Sequence, residues 1–352
     1  PYTTLFRSRT GSNRGDDMKK KRNIQLHDII PFAAFVVIFL FFTIMSYNQR
    51  TGRFMMLSLN NLQQVLEQTM QTIIVASGTL FVVAQGSTDM SVGVNLALSG
   101  VCGVAFGYLT GAPALIIPAI LVVGTIIGIF NGFVVAKLKV PSFMLTIALL
   151  IGIRGLVNFI QTKTDVQRLP DSLGFLRNSV VKIILFVIVL VIMAYIFEFT
   201  KIGRYSRAIG ENENTARYVG VPITKMKVIA FALSGLMAGM GAVFSLANVG
   251  ATSQQMGTFL EMRVITAILL GGVLVTGGTS AKFYKILLGS FSIQIIINGL
   301  ALMNKSDSYI SQSVQGILLL LILALTAWSG RRTGKAKKKE EDVAAKANAE
   351  EV

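Results

Sequence analysis

Long apolar runs separated by short polar breaks make up most of the chain. A helix needs about 20 mostly apolar residues to cross a hydrocarbon layer about 30 Å thick. Ten runs meet or approach that length, at residues 30–46, 72–86, 90–108, 113–136, 141–160, 180–199, 228–248, 260–276, 285–303 and 312–329. They predict an all-α, polytopic membrane protein with about ten transmembrane helices. The second run is short, and reads either as a tilted span or as half of a broken pair with the third.

Composition supports the same class. Of 352 residues, 53% are hydrophobic and 14% charged, against about 25% charged in a soluble domain. Cys102 and His27 are the single cysteine and histidine. They lie far apart in sequence and cannot build the usual His/Cys metal site, so no metal site is expected. No Ser/His/Asp set supports an enzyme.

The net charge of +16 would suggest nucleic acid in a soluble chain. Here it sets topology. With the N-terminus inside and ten alternating spans, the inner segments hold 21 Lys and Arg and the outer loops six. Cytoplasmic enrichment of positive charge is the rule for membrane proteins. Both termini are therefore expected in the cytoplasm, with the basic residues near anionic lipid and no nucleic-acid partner.

Residues Pro1 to Ser8 can be read as the codons of a sequencing adapter, so 1–17 are expected to be translated adapter and read-through. Met18, followed by Lys19 to Arg22, is the expected start, and 18–29 a cytoplasmic lead-in. The first run has no cleavage site after it and is expected to stay as an anchor. Residues 30–330 form the transmembrane domain, with an inner loop at 200–227. The tail 331–352 is rich in Lys, Glu and Ala and is expected to be disordered.

Glycines recur four apart at Gly124, Gly128 and Gly132, at Gly103 and Gly107, and at Gly235 and Gly239. Such spacing lets helix backbones approach closely, within one subunit or between two. Asp89-Met-Ser-Val reaches Gly100 as Glu261-Met-Arg-Val reaches Gly272. The two starts belong to oppositely oriented spans, as an inverted five-plus-five repeat would place them.

The inner loop contains a short helix with readable ends. Asn212 can cap its first amides. Glu211 and Glu213 sit at the positive end of its dipole and Arg217 near the negative end. Glu213 and Arg217 are an i,i+4 pair, and Gly220 followed by Pro222 ends it. A helix this short is marginal alone, which suggests docking to a partner.

This loop resembles the cytoplasmic coupling loop of permease subunits in ATP-binding cassette importers of the ribose/simple-sugar type, within the branched-chain amino acid/sugar permease superfamily. Its residues are Gly203, Arg204, Ala208, Gly210, Glu211, Asn212, Ala216, Arg217, Gly220 and Pro222. Three further segments share the likeness: Gly86 to Gly93, Val140 to Thr146 and Leu270 to Gly278. The likeness runs from about residue 30 to 329. Arg263 departs from it, where the family has small apolar residues.

The resemblance implies a translocation path shared by two permease subunits, identical or paired with a relative. It implies a cytoplasmic ATPase partner carrying ATP and Mg, and an extracytoplasmic binding protein delivering a sugar, all at the bacterial plasma (inner) membrane. This chain has no Gly-x-x-x-x-Gly-Lys-[Ser/Thr] loop, so ATP is not expected on it. Gly210, Glu211, Asn212, Glu213, Ala216, Arg217 and Gly220 are the expected ATPase-coupling residues. Ala216→Arg is then expected to abolish uptake while leaving insertion intact.

Candidate path residues are Asp89, Asn95, Phe143, Gln294 and Asn298. Asp89 can cap a helix start or meet solute. Asn95, Gln294 and Asn298 offer the donors and acceptors that sugar hydroxyls and interhelical contacts both use. Phe143 can stack on a sugar ring or pack. Arg154 must face the protein interior or an edge. The alternatives are a nucleoside or branched-chain amino acid permease of the same superfamily, and an ATP-independent secondary transporter. The last needs buried acidic relays, for which Asp89, Glu198 and Glu261 are the carboxylates in or beside spans.

Overall fold

The computed structural model describes residues 26–48, 52–163, 168–303, 310, 312–317, 319–321 and 324. The leader 1–17, residues 18–25, the tail 331–352 and part of the run at 312–329 lie outside these.

Eleven α-helices follow in order: α1 Leu26–Met45, α2 Leu59–Ala84, α3 Val92–Thr110, α4 Ile116–Lys137, α5 Ser142–Lys163, α6 Ser179–Phe199, α7 Lys201–Glu211, α8 Glu213–Tyr218, α9 Ile223–Val249, α10 Leu260–Leu270 and α11 Phe283–Leu302. A two-residue antiparallel pairing, Tyr47 with Phe54 and Asn48 with Arg53, closes the turn after α1. Seven helical segments among the described residues are long and apolar enough to cross a membrane: α2 to α6, α9 and α11. The protein is an all-α polytopic membrane protein.

Two runs differ from their expected bounds. The second begins at Leu59 and not at residue 72, giving a 26-residue helix of about 39 Å. Its first half carries Asn61, Gln63, Glu67 and Gln68, which depress hydropathy. Those side chains bond to other helices, Asn61 to Asn298 at 2.9 Å and Gln68 to Gln294 at 2.5 Å. Polar groups satisfied inside the bundle are tolerated at membrane depth. Glu67 is consequently a fourth carboxylate in a span, and pairs with Lys182 of α6 at 2.6 Å.

The eighth run is helical only over the 11 residues of α10, about 16 Å and half a bilayer. Gly272, Gly277 and Gly278 adopt positive φ just after it, a conformation open to glycine, and the chain turns through 271–282 into α11.

The glycine stripes pack within this chain. A Cβ on Gly124 would lie 2.6 Å from the Gly235 carbonyl oxygen, and one on Gly128 would collide with the carbonyl of Phe231. α4 and α9 thus touch backbone to backbone. Gly103 and Gly107 receive Ile120 and Ile116 of α4 in the same way.

The ends of the helices sort into two faces. Gly86 to Thr88, Lys139 to Phe143, Arg217 and Thr224 to Lys227 border one cleft at one end. At the other end the Tyr108 hydroxyl donates to the Arg168 carbonyl at 2.8 Å, and the Leu169 amide to Gly250 O at 2.8 Å. The first end carries Lys139, Arg217, Lys225 and Lys227, basic residues of the segments that the positive-inside rule assigns to the cytoplasm.

Candidate functional site

The segment 200–227 is mostly helical. Thr200 caps α7, its side chain accepting from the Ile202 amide. Asn212 leaves the helical region at φ −162° and accepts from the Thr215 amide at 2.9 Å, which starts α8. α8 is anchored by an apolar cluster of Ile209, Ala216, Val221, Ile223 and Met226. Glu213 ties its start to Arg217 at 3.1 Å and to Lys227 of α9 at 2.7 Å. The Lys227 hydrogen bond holds the Glu213 carboxyl below the usual carboxylate range, against a smaller opposing effect of burial.

Ala216 is 3% exposed inside that cluster. An arginine there would dislodge α8 itself, so Ala216→Arg does not isolate partner docking. The outward face instead presents Tyr218 and Val219, 88% and 74% exposed. A bulky apolar pair on a charged inner loop was visible in the sequence and marks this face. Gly220, at φ +84°, ends the helix as expected.

The platform is fastened to the bundle at several points. Gln85, after α2, donates to the Ser206 hydroxyl of α7 and the Met226 carbonyl of α9, both at 3.0 Å. Glu198 accepts from Arg207 at 2.9 Å and from the Phe283 amide at 2.8 Å. Glu211 Oε1 accepts from the Thr279 amide at 2.6 Å and from its hydroxyl at 2.5 Å. These two bonds hold the Glu211 carboxyl below its ordinary value, the hydroxyl contributing most. Gly210 lies flat against the Ala84 carbonyl and the Gly278 amide.

Above the platform the helices are interrupted. Residues 85–91 turn back into the bundle between α2 and α3, and 250–259 descend irregularly to α10. Irregular backbone at membrane depth is tolerated where protein buries it or a cavity adjoins it. The two interruptions meet where Gly93 lies against Gly257 and the Glu261 carboxylate. Arg154 of α5 caps the second, donating to Gln254 O at 3.2 Å and Met256 O at 2.9 Å.

Two cavities adjoin this region. A cleft of about 950 Å³ opens between the α2–α3 break, the α4–α5 turn and α8, and is bordered by Lys139, Glu213, Arg217 and Lys225. An apolar cavity of about 220 Å³ is walled by Met90, Phe143, Met262, Ile265 and Leu269. Ser87, Thr88 and Phe143 border both.

Of the path candidates, Phe143 thus lines both cavities. Asp89 is 1% exposed and fully engaged. It accepts from the Ser91 amide at 3.0 Å and hydroxyl at 2.6 Å, and from Ser234 of α9 at 2.8 Å. Asn95 donates to Gly124 O at 3.1 Å and accepts from Ser99 at 3.0 Å. Gln294 and Asn298 face α2. Thr72, Thr266, Ser290, Gln294 and Asn298 each keep one buried polar atom without a partner among the described residues. Ser87, Thr88, Met262 and Ile265 were not singled out from sequence. Ser87 and Thr88 lie in a segment already noted for its family likeness, while the methionine and isoleucine gave no signal.

A model of the family described as branched-chain amino acid transport system / permease component matches residues 61–323. The ribose import permease protein RbsC of Escherichia coli is 30% identical over 278 residues, covering 75% of this chain and 84% of its own length. The protein of the same name from Haemophilus influenzae is 30% identical over 282 residues, covering 76% and 85%. The autoinducer 2 import system permease protein LsrC of Photorhabdus laumondii is 32% identical over 275 residues, covering 76% and 81%. No solved structure matches. The match spans both interrupted helices and the inner platform, and the chain belongs to the branched-chain amino acid transport system / permease component family.

Proposed function

We propose that this chain is the transmembrane subunit of an ATP-binding cassette importer, forming the path for a sugar or sugar-like polar solute across the bacterial plasma membrane. A cytoplasmic ATPase docks on α7 and α8, an extracytoplasmic binding protein delivers the solute, and a second permease subunit completes the path. ATP and Mg²⁺ belong to the ATPase. The observation that carries this reading is the platform: two short helices, braced against α2 and α9 and, through Glu198 of α6, against α11, that present Tyr218 and Val219 outward at the basic end of the bundle. The sugar assignment rests on relatives described as ribose import permeases.

Asp89 is engaged by three donors and Glu67 by Lys182, while Glu261 keeps one buried carboxylate oxygen without a partner among the described residues. The ATP-independent alternative, which needs carboxylates free to bind ions, would therefore turn on Glu261. The test is co-purification of the tagged chain with the products of its neighbouring genes, followed by uptake of labelled ribose into liposomes. An ATPase that co-purifies, and is lost from Tyr218→Asp and Val219→Asp, supports the assignment. A chain that purifies alone and moves solute without ATP overturns it. ATP-dependent uptake without ribose transport would keep the importer and replace the solute.

A further inference from the structure

α10 is held differently at its two ends. Its outer end joins α9 through irregular residues that include Gly250, Gly257 and Phe259, at φ +81°, +68° and +58°. A phenylalanine in the left-handed region is strained. The segment is held by separate contacts, Arg154 on Gln254 O and Met256 O and the Leu169 amide on Gly250 O, in place of a helix's continuous ladder. The inner end is stapled. The Leu274 amide donates to Ser280 Oγ at 3.0 Å, and Ser280 Oγ donates to Gly277 O at 2.8 Å. Lys285 of α11, 1% exposed, donates from Nζ to Gly272 O and Ser280 O, both at 3.0 Å. A cation at the C-terminal end of a helix is favoured by its dipole. α10 and α11 also touch by backbone, Gly289 lying against the Ala267 carbonyl and Gly271 against the Lys285 carbonyl. α10, residues 271–282 and the start of α11 therefore form one stiff hairpin.

The platform grips this hairpin at its tip. Glu211 is the last residue of α7, and its carboxylate takes both donors of Thr279. Hydrogen bonds to an ionised acceptor are about twice as strong as neutral ones. The apolar cavity beside Phe143 runs along the hairpin, walled by Met262 and Ile265 near its outer end and by Leu269 and Val275 beside the stapled turn.

We propose that the Glu211–Thr279 contact is the joint by which displacement of α7 and α8 reaches α10 and reshapes that cavity, with Lys285 keeping the hairpin stiff. Thr279 and Lys285 are then positioning residues for transport. Neither lines the cavity, and Thr279 meets the platform at Glu211, the last residue of α7. This inference rests on the importer reading, in which an ATPase moves the platform.

The experiment uses the complete transporter, with Cys102→Ala and spin labels at Met262→Cys in α10 and Leu109→Cys in α3. ATP with vanadate is the probe, and the distance between the labels is the readout beside the amount of ATPase retained. The parent protein should shift on trapping. Thr279→Val should lose the shift while keeping the ATPase, whereas Thr279→Ser, which retains both donors, should behave as the parent. A covalent link made by Glu211→Cys with Thr279→Cys should leave the shift intact, because the joined parts move together. A full shift in Thr279→Val, a shift lost only in proportion to lost ATPase, a parent that keeps its ATPase without any shift, or a covalent link that blocks it would each overturn the joint. A parent that retains no ATPase would instead sink the importer reading, and the joint with it.

Discussion

Gly93 and Gly257 lie backbone against backbone where the two interrupted segments of the bundle meet. A Cβ on Gly93 would stand 2.5 Å from the Gly257 carbonyl oxygen and would overlap the Glu261 carboxylate. The contact is closed from the other side as well, since a Cβ on Gly257 would collide with the Gly93 carbonyl. Gly93→Ala is therefore expected to destabilise the protein by roughly 1–3 kcal/mol through overpacking and to lower uptake. Gly152→Ala, with open space around it, is expected to leave the melting temperature in detergent unchanged. Equal melting temperatures for the two variants would contradict the packing.

Asp89 tests whether its carboxylate is a cap or a working ion site. Asp89→Asn keeps the shape and one carbonyl acceptor, and the Ser234 hydroxyl can reverse to accept from the new amide. The expected cost is about 1 kcal/mol, with uptake preserved. Asp89→Ala orphans three buried donors and is expected to cost about 3 kcal/mol or more. Thermal unfolding in detergent, paired with uptake, reads both. Loss of uptake in a stably folded Asp89→Asn protein would show that the charge itself is needed.

Lys182 is buried against Glu67 and Asn248, at 2.6 and 2.9 Å. Lys182→Met takes the cation from Glu67, which is part-exposed and keeps Gln63 and Ser179 as donors, and should cost about 1–2 kcal/mol. Adding Glu67→Gln to that variant should recover most of the loss, because a paired removal leaves no uncompensated charge. Additive losses in the double variant, measured by unfolding, would mean the two residues act separately.

The Glu211 junction carries a pH dependence of known sign. Its carboxyl is held below its ordinary value of 4.5 by the two Thr279 donors. A group with a depressed folded value contributes stability above its unfolded value and loses it as pH falls through the folded one, since the unfolded chain binds the proton first. The stability difference between wild type and Glu211→Gln should thus be full at neutral pH and shrink as pH drops through 4.5 and below. A difference that stays constant across that range would rule the contact out as a source of stability.

The sequence by itself determined what local patterning can determine. Runs of apolar residues fixed the class, because burial in lipid depends on length and composition. The loop at 200–227 declared its helix ends, because Asn212 and Gly220 act through neighbours only a few residues away. Only the tertiary structure decided the rest. The length of α2 depended on Asn298 and Gln294, more than 200 residues distant, satisfying its polar side chains. The interior position of Ala216 followed from Ile223 and Met226 folding over it. The split of the eighth run into a half-helix and a stapled turn required the glycines after Leu270 to meet Lys285 and Glu211. Hydropathy sums over neighbours in sequence, whereas these choices were made by partners that folding alone brings together.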